Sequence, residues 1–211
     1  MFPDLTRDDV FRLETRRLWL RWPRHADGPA MVRLAGDKAV AEMTARIPHP
    51  YSLEAVTTFV FESRKANALG RALRMAIAPR GKPQGLIGMI GIEANPEDGR
   101  PHLGYWLGRP HWGRGYATEA ARALVDAWFA YTEAHELTSA ARMDNPASRR
   151  VIEKCGFAHA GSGGMTEAHG GAVAVDRFVL ERRVWAALTP WTDTGFVPHG
   201  PVARARALAD A

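Results

Sequence analysis

Apolar residues recur along this chain with two periods, and the switch between them lays out the expected elements. Ala117, Ala120, Ala121, Leu124, Val125, Trp128 and Phe129 keep the i, i+3, i+4, i+7 spacing of one helix face, which predicts a helix reaching about residue 132. Ser52 is a good N-cap for a second helix to about residue 69, with Glu54 in its first turn and Gly70 behind it. A third is expected over 26–35, and a short fourth is capped by Asn145, with Pro146 at its first position and Gly156 past its end. Runs rich in β-branched and aromatic residues predict strands at 18–22, 73–78, 86–93, 102–107, 137–142, 157–160 and 172–181. Turn signals stand at 79–83 and 95–99, Gly88 and Gly91 suggest a bulge or close packing, and the glycine-rich stretch 161–171 is expected to be mobile. Residues 1–189 are read as one domain. The tail 190–211 is expected to be docked, through Trp191 and Phe196, or partly disordered, with a weakly anchored helix over 204–211.

Composition narrows the class. With 46% hydrophobic and 24% charged residues, the chain reads as a globular protein with a sizeable core. No run of ~18 apolar residues predicts a membrane span. The first ten residues carry Asp4, Asp8 and Asp9 and no apolar core, so they do not read as a secretory signal. The lone Cys155 permits no internal disulfide and fits a reducing, cytoplasmic compartment; the eight histidines show no metal-ligand spacing, so no metal is expected. The net charge of +5 suits an anionic ligand, and Arg100, Arg109, Arg114, Arg122, Arg149, Arg150 and Lys154 gather around one loop. No nucleic-acid motif accompanies that charge, so nucleic acid is not an expected partner.

That loop carries the chemistry. His111-Trp112-Gly113-Arg114-Gly115-Tyr116-Ala117-Thr118-Glu119-Ala120 joins the strand at 102–107 to the long helix. Two glycines at a helix start allow a phosphate to approach free N–H groups and the positive end of the helix dipole, and Arg114 adds charge. A nucleotide-hydrolase phosphate loop is disfavoured because no Gly-Lys-Ser/Thr follows. A dinucleotide site is disfavoured because no third glycine opens the helix.

The block Trp112-Gly-Arg-Gly-Tyr-Ala-Thr-Glu-Ala120 resembles the acetyl-CoA pyrophosphate loop of the GNAT N-acetyltransferases, and among them the Rim-type branch that acetylates ribosomal-protein N-termini. Trp112 stands where the superfamily has Arg or Gln, as Rim-type sequences often do. Leu13–Arg21 resembles that branch's opening strand, Ile47–Ser52 its proline-rich lead into the second helix, and Asp144–Phe157 its "N-x-x-S … E-K-x-G-F" block. The resemblance implies an α+β three-layer fold, a mixed, mostly antiparallel sheet of about seven strands flanked by helices. It implies direct transfer of acetyl from acetyl-CoA to an amine, either a protein N-terminus or a small molecule, by a monomer or homodimer.

By the same resemblance, Tyr105, Trp106, Leu107, Trp112, Gly113, Arg114, Gly115, Tyr116, Ala117, Thr118, Asn145 and Ser148 contact acetyl-CoA. Backbone N–H groups around Trp106 and Leu107 are the expected carbonyl contacts. His102 replaces the branch's usual carboxylate and is the first candidate base, with its ordinary pKa of ~6.5 suited to neutral pH; Glu93 or a water chain are the alternatives. The tyrosine that other members use as acid is Ile152 here, which leaves Ser148 as acid or as a hydrogen-bond donor to the thioester. A non-catalytic acyl-CoA-binding regulatory module of the same fold is the competing reading.

Overall fold

The computed structural model describes residues 2–166 and 171–188. Eight strands form one sheet: β1 (Arg12–Glu14), β2 (Leu18–Arg21), β3 (Ala72–Pro79), β4 (Gly88–Ala94), β5 (Pro101–Leu107), β6 (Glu136–Arg142), β7 (Ala158–Thr166) and β8 (Ala172–Glu181). Their order is β1-β2-β3-β4-β5-β6-β8-β7, antiparallel throughout except for the parallel β5–β6 pair. The helices are α1 (Gly28–Ala35), α2 (Lys38–Ala41), α3 (Leu53–Ala68), α4 (Tyr116–Tyr131), α5 (Pro146–Lys154) and α6 (Arg182–Leu188).

Period-two alternation gives each strand two faces. Leu73, Met75 and Ile77 of β3, Ile90 and Ile92 of β4, and Leu103 and Leu107 of β5 pack with α4 in the larger core. The intervening residues Ala76 and Met89 meet Met31, Val56 and Val60 of α1 and α3 on the opposite face. The result is three layers: α1 and α3, the sheet, then α4 and α5. A buried ion pair fixes the entry to α1. Arg21 Nη1 and Nη2 donate to Asp27 Oδ2 and Oδ1 at 2.8 and 2.7 Å, and Arg24 N–H donates to Asp27 Oδ2 at 2.8 Å.

The structure refines three expectations. The sheet has one strand more than predicted by sequence, because the short 12–14 segment pairs with β2 as a hairpin. The helix expected over 26–35 begins as a 3-10 turn at His25–Asp27 and becomes α-helical at Gly28. The strand expected at 157–160 runs on through Thr166, paired with β8 and shifted in register between His159 and Gly161. Of its glycines, Gly163 answers to packing. A Cβ at Gly163 would lie 2.2 Å from Arg177 Nη1, where that guanidinium crosses the strand to Gly164 C=O. Gly88 and Gly91 answer to close packing: a Cβ at Gly88 would meet Trp106 C=O at 2.2 Å. Trp191, Phe196 and the segment 204–211 lie outside the described residues.

Candidate active site

The β5–β6 pair is the break in the sheet. Both strands have seven residues, yet they pair only at His102↔Thr138 and Leu103↔Ser139. Beyond that point each follows its own antiparallel neighbour: β5 stays on β4 as far as Leu107↔Gly88, and β6 stays on β8 as far as Arg142↔Val175. Asn95 N–H donates to Arg100 C=O, and Gly108 N–H to Ile87 C=O. Alternation therefore turns the backbone of residues 102, 104 and 106 toward β4, and that of 103, 105 and 107 toward the gap. Leu103 C=O accepts there from Ser139 Oγ at 2.9 Å. The N–H groups of Tyr105 and Leu107 face the opening. Trp106 N–H, expected to serve beside Leu107, is turned to β4 instead.

The glycine loop stands at the mouth of this gap. Gly113 and Gly115 have φ of 71° and 75°, the left-handed region that disfavours a side chain, and Gly115 caps α4. That places the first-turn amides of Tyr116, Ala117 and Thr118 at the front of a 16-residue helix. A Cβ at Gly113 would meet nothing within 4 Å, so the space before the loop is open. Trp112 donates its indole N–H to Leu107 C=O at 2.7 Å, which fixes the loop to the end of β5.

A brace that the sequence reading missed holds the loop from behind. Glu119, in the first turn of α4, accepts from Thr15 Oγ1 at 2.6 Å and from Arg17 Nε at 2.6 Å, and Arg17 Nη1 donates to Arg114 C=O at 3.0 Å. Arg17 also lies over the Tyr116 ring, 4.6 Å from its centroid. Of the expected basic cluster, Arg100, Arg122 and Arg149 are committed to Glu136, to Lys154 C=O and to Glu153 with Asp176.

Across the gap, Asn145 Oδ1 accepts from Ser148 N–H at 3.0 Å and so starts α5. Tyr105 hydroxyl donates to Ser148 C=O at 3.1 Å and lies 2.8 Å from Ser148 Oγ. Burial raises the Tyr105 phenol well above its ordinary value, so it stays protonated. Ile152, where the resemblance expects an acid tyrosine in other members, is buried in the core.

The α1–α3 face holds the titratable groups. His102 and Glu93 are direct cross-strand partners. Glu93 Oε1 accepts from Arg46 Nη1 at 2.6 Å, and Oε2 accepts from Arg74 Nε at 3.1 Å and from Arg74 Nη2. Burial raises the Glu93 pKa, but the hydrogen bonds and charges of Arg74 and Arg46 outweigh it and hold the carboxylate below its usual range. His102 Nδ1 lies 3.2 Å from Thr138 Oγ1, and Thr138 spends its one hydroxyl proton on Pro101 C=O at 2.8 Å. Thr138 therefore accepts from His102 Nδ1–H, which leaves Nε2 as the ring's basic nitrogen. Burial first, then the charge of Arg46, pushes the His102 pKa down to about 4. Arg46 opens the 46–51 segment expected to help shape the acceptor site, whereas Arg74 was not anticipated, although it is visible in sequence as a lone charge in an apolar strand.

These groups line one cavity of about 490 Å³ that joins both faces through the opening, from Asn145, Ser148 and Tyr105 to His102, Glu93, Arg46 and Arg74. Gly91 and Gly104, paired on β4 and β5, form its floor; a Cβ at Gly104 would meet nothing within 4 Å.

Two other clusters lack the geometry for chemistry. Ser162 Oγ donates to Asp176 Oδ1 at 2.6 Å, and the same His159 nitrogen faces both, at 3.3 Å from Asp176 and 3.4 Å from Ser162. A nucleophile relay needs the two opposite ring nitrogens, so this cluster ties β7 to β8. Cys155 is buried, and burial pushes its thiol up to about 12, far from a nucleophile. Among the described residues no group of three or more His, Cys, Asp or Glu could hold a metal ion, and no helix is long and apolar enough to cross a membrane.

Comparison with known proteins agrees with this geometry. The model of the acetyltransferase (GNAT) domain matches residues 17–158. An uncharacterized N-acetyltransferase p20 of Bacillus licheniformis is 30% identical over 119 residues, covering 56% of this chain and 66% of that protein. The ribosomal-protein-serine acetyltransferase of Escherichia coli is 32% identical over 77 residues, 36% of this chain and 43% of that one. The matched segment thus spans about two-thirds of the first relative's length and under half of the second's. Among solved structures, Mycobacterium smegmatis RimJ in complex with CoA-disulfide superimposes with a TM-score of 0.73 at 20% identity, covering 90% of this chain and 97% of that one. At that identity the likeness speaks for the fold.

Proposed function

The chain belongs to the GNAT acetyltransferase family, and on that premise we propose that it is of the Rim-like kind and moves the acetyl group of acetyl-CoA directly onto a primary amine bound in the same cavity. The observation that carries this reading is the cavity passing through the β5–β6 gap, lined by Tyr105, Asn145 and Ser148 on one face and by His102 on the other, together with the phosphate-suited glycine loop that follows the end of β5.

The roles follow from position. Gly113, Gly115 and the amides of Tyr116, Ala117 and Thr118 receive the pyrophosphate, with Arg114 adding charge and Trp112 holding the loop. Asn145 and Ser148 border the pantetheine path, and the N–H groups of Tyr105 and Leu107 receive the acetyl oxygen as its charge develops. The amine nitrogen bonds to the acetyl carbon, the C–S bond breaks, and His102 Nε2 takes the proton that the amine gives up. Ser148 Oγ–H, set beside the Tyr105 hydroxyl, donates a hydrogen bond to the departing sulfur, which leaves as the thiolate. Glu93 is a weak candidate for base because two arginines already hold it ionised; its part is electrostatic. Trp106 contributes through its side chain, which packs against the α1–α3 layer.

The test is calorimetric binding of acetyl-CoA followed by thiol release against a panel of amines. Turnover on any amine, reduced about 100-fold by His102→Gln with binding intact, supports the enzyme and its base. Binding with no turnover on any acceptor favours the non-catalytic acyl-CoA module, and absence of binding overturns the reading.

A further inference from the structure

The charge balance of the cavity points to the kind of acceptor it takes. Arg177 is paired with Glu97, Arg100 with Glu136 and Arg142 with Asp144, so the rim arginines are neutralised. The inner group is not balanced. Glu93 is one negative charge between two guanidiniums, Arg46 and Arg74, and that group keeps one net positive charge. Arg46, 54% exposed at its side chain, lines the cavity and meets Glu93 through Nη1 alone. Arg74 is three-quarters buried and lies against the sheet over Gly91, where a Cβ would come within 3.2 Å of its Cα and Cγ. Beside them stands an apolar wall. Phe59 lies under the Arg74 guanidinium at 5.8 Å, and Met31, Tyr51, Met89 and Trp106 continue it.

We infer that the acceptor is a primary amine bearing a carboxylate within a few bonds of the nitrogen, bound by the N–H groups of Arg46 that Glu93 does not take, with Arg74, whose own fork is spent on Glu93 and Ser63, adding its charge, and with an apolar body against Phe59 and Trp106. This rests on the transfer reading and narrows it. A polyamine fits the inner wall poorly, because Glu93 is already held by both arginines and Glu97 is paired with Arg177, which leaves Asp98, on the exposed hairpin, as the cavity carboxylate it would have to meet. A guanidinium fork matches a carboxylate in two parallel hydrogen bonds. The same excess positive charge favours the uncharged amine over its ammonium form, and the uncharged amine is the nucleophile. At His102, too, the charge of Arg46 outweighs that of Glu93.

The experiment uses the full chain with CoA bound and titrates N-acetyl-leucine against N-acetyl-leucinamide, so that it reads the product site without needing turnover. The acid is expected to bind at least tenfold more tightly, and the preference to fall to within about twofold in Arg46→Gln and in Arg74→Gln. Arg46 is exposed, so its variant reports even where Arg74→Gln fails to fold; retained CoA binding is the check on folding. Turnover is then compared for leucine, leucinamide, the peptide amide Ala-Glu-Leu and spermidine. Preference for leucine over the peptide identifies a free amino acid as the source of the carboxylate, and the reverse identifies an acidic peptide N-terminus. Equal binding of acid and amide, or spermidine as the best acceptor, overturns the inference and leaves acetyl transfer standing. Acid preference without any turnover overturns the transfer reading instead.

Discussion

On the α4 side of the sheet the site is one stretch of chain: residues 112–119 form a loop and a helix start whose function is written in their own backbone. On the α1–α3 side it is assembled from Arg46, Arg74, Glu93, His102 and Thr138, which come from five separate segments and meet only because strands pair in register. The first surface offers N–H groups, which suit any pyrophosphate. The second offers side chains in a particular charge balance, which suits one class of acceptor. The contrast teaches where change is tolerated. A backbone site is damaged by adding an atom, while a side-chain site is retuned by exchanging one.

The largest expected effect strikes the support of the second surface. Asp27→Ala leaves Arg21 buried and unpaired, with side-chain exposure of only 5% in the native protein, and such a loss costs about 3–5 kcal/mol. Chemical denaturation is expected to show this, with acetyl-CoA affinity per folded molecule unchanged, because the pair sits at the entry to α1 and not at the loop. A parallel loss of cofactor affinity would mean that the two surfaces are not separable.

Gly115→Glu attacks the first surface alone. It forces a side chain into the left-handed region and sets a carboxylate before the helix amides. Like charges placed together cost several kcal/mol, so acetyl-CoA affinity should fall at least ~100-fold in calorimetry. Gly104→Val works from the opposite side, growing into open space on the cavity floor. A shifted acceptor should lose ~10–100-fold in kcat/KM, with thermal stability nearly unchanged. Arg17→Ala removes the brace on the loop. Because Arg17 is 36% exposed, about 1 kcal/mol is expected, or ~5-fold in acetyl-CoA affinity.

The same contrast explains what could be read from the chain. The helix at 116–131, the caps at Ser52 and Asn145 and the glycine turn were legible because they depend on neighbours within a few residues. So was most of the strand pattern, since burial alternates locally. The extension of β7 was not, because its run of glycines reads as a turn while its pairing depends on β8, and Gly163 makes room for Arg177 from that strand. Thr15 and Arg17 were visible as part of a motif, but their purpose depends on Glu119, more than a hundred residues away. Nor did local sequence indicate that two arginines hold Glu93, or that Thr138 orients His102; register pairings decide both.

The smallest expected effect tests whether the second surface is tuned by charge. The groups acting on His102 are Arg46, which lowers its pKa, and Glu93, Asp98 and Glu97, which raise it, all against burial. A histidine base works only while unprotonated, so in the wild type the acid limb of kcat set by His102 is expected well below the ordinary histidine range. In Arg46→Gln one cation is lost and Glu93 is partly uncovered, and both changes favour the imidazolium. The limb should move toward higher pH, so the ratio of kcat at pH ~5 to kcat at pH ~7.5 falls below that of the wild type. Measuring kcat against pH for both proteins, with one saturating acceptor, reads this directly. An unmoved limb would assign the titrating group elsewhere, to the acceptor's own amine, and would leave His102 as a binding residue rather than the base.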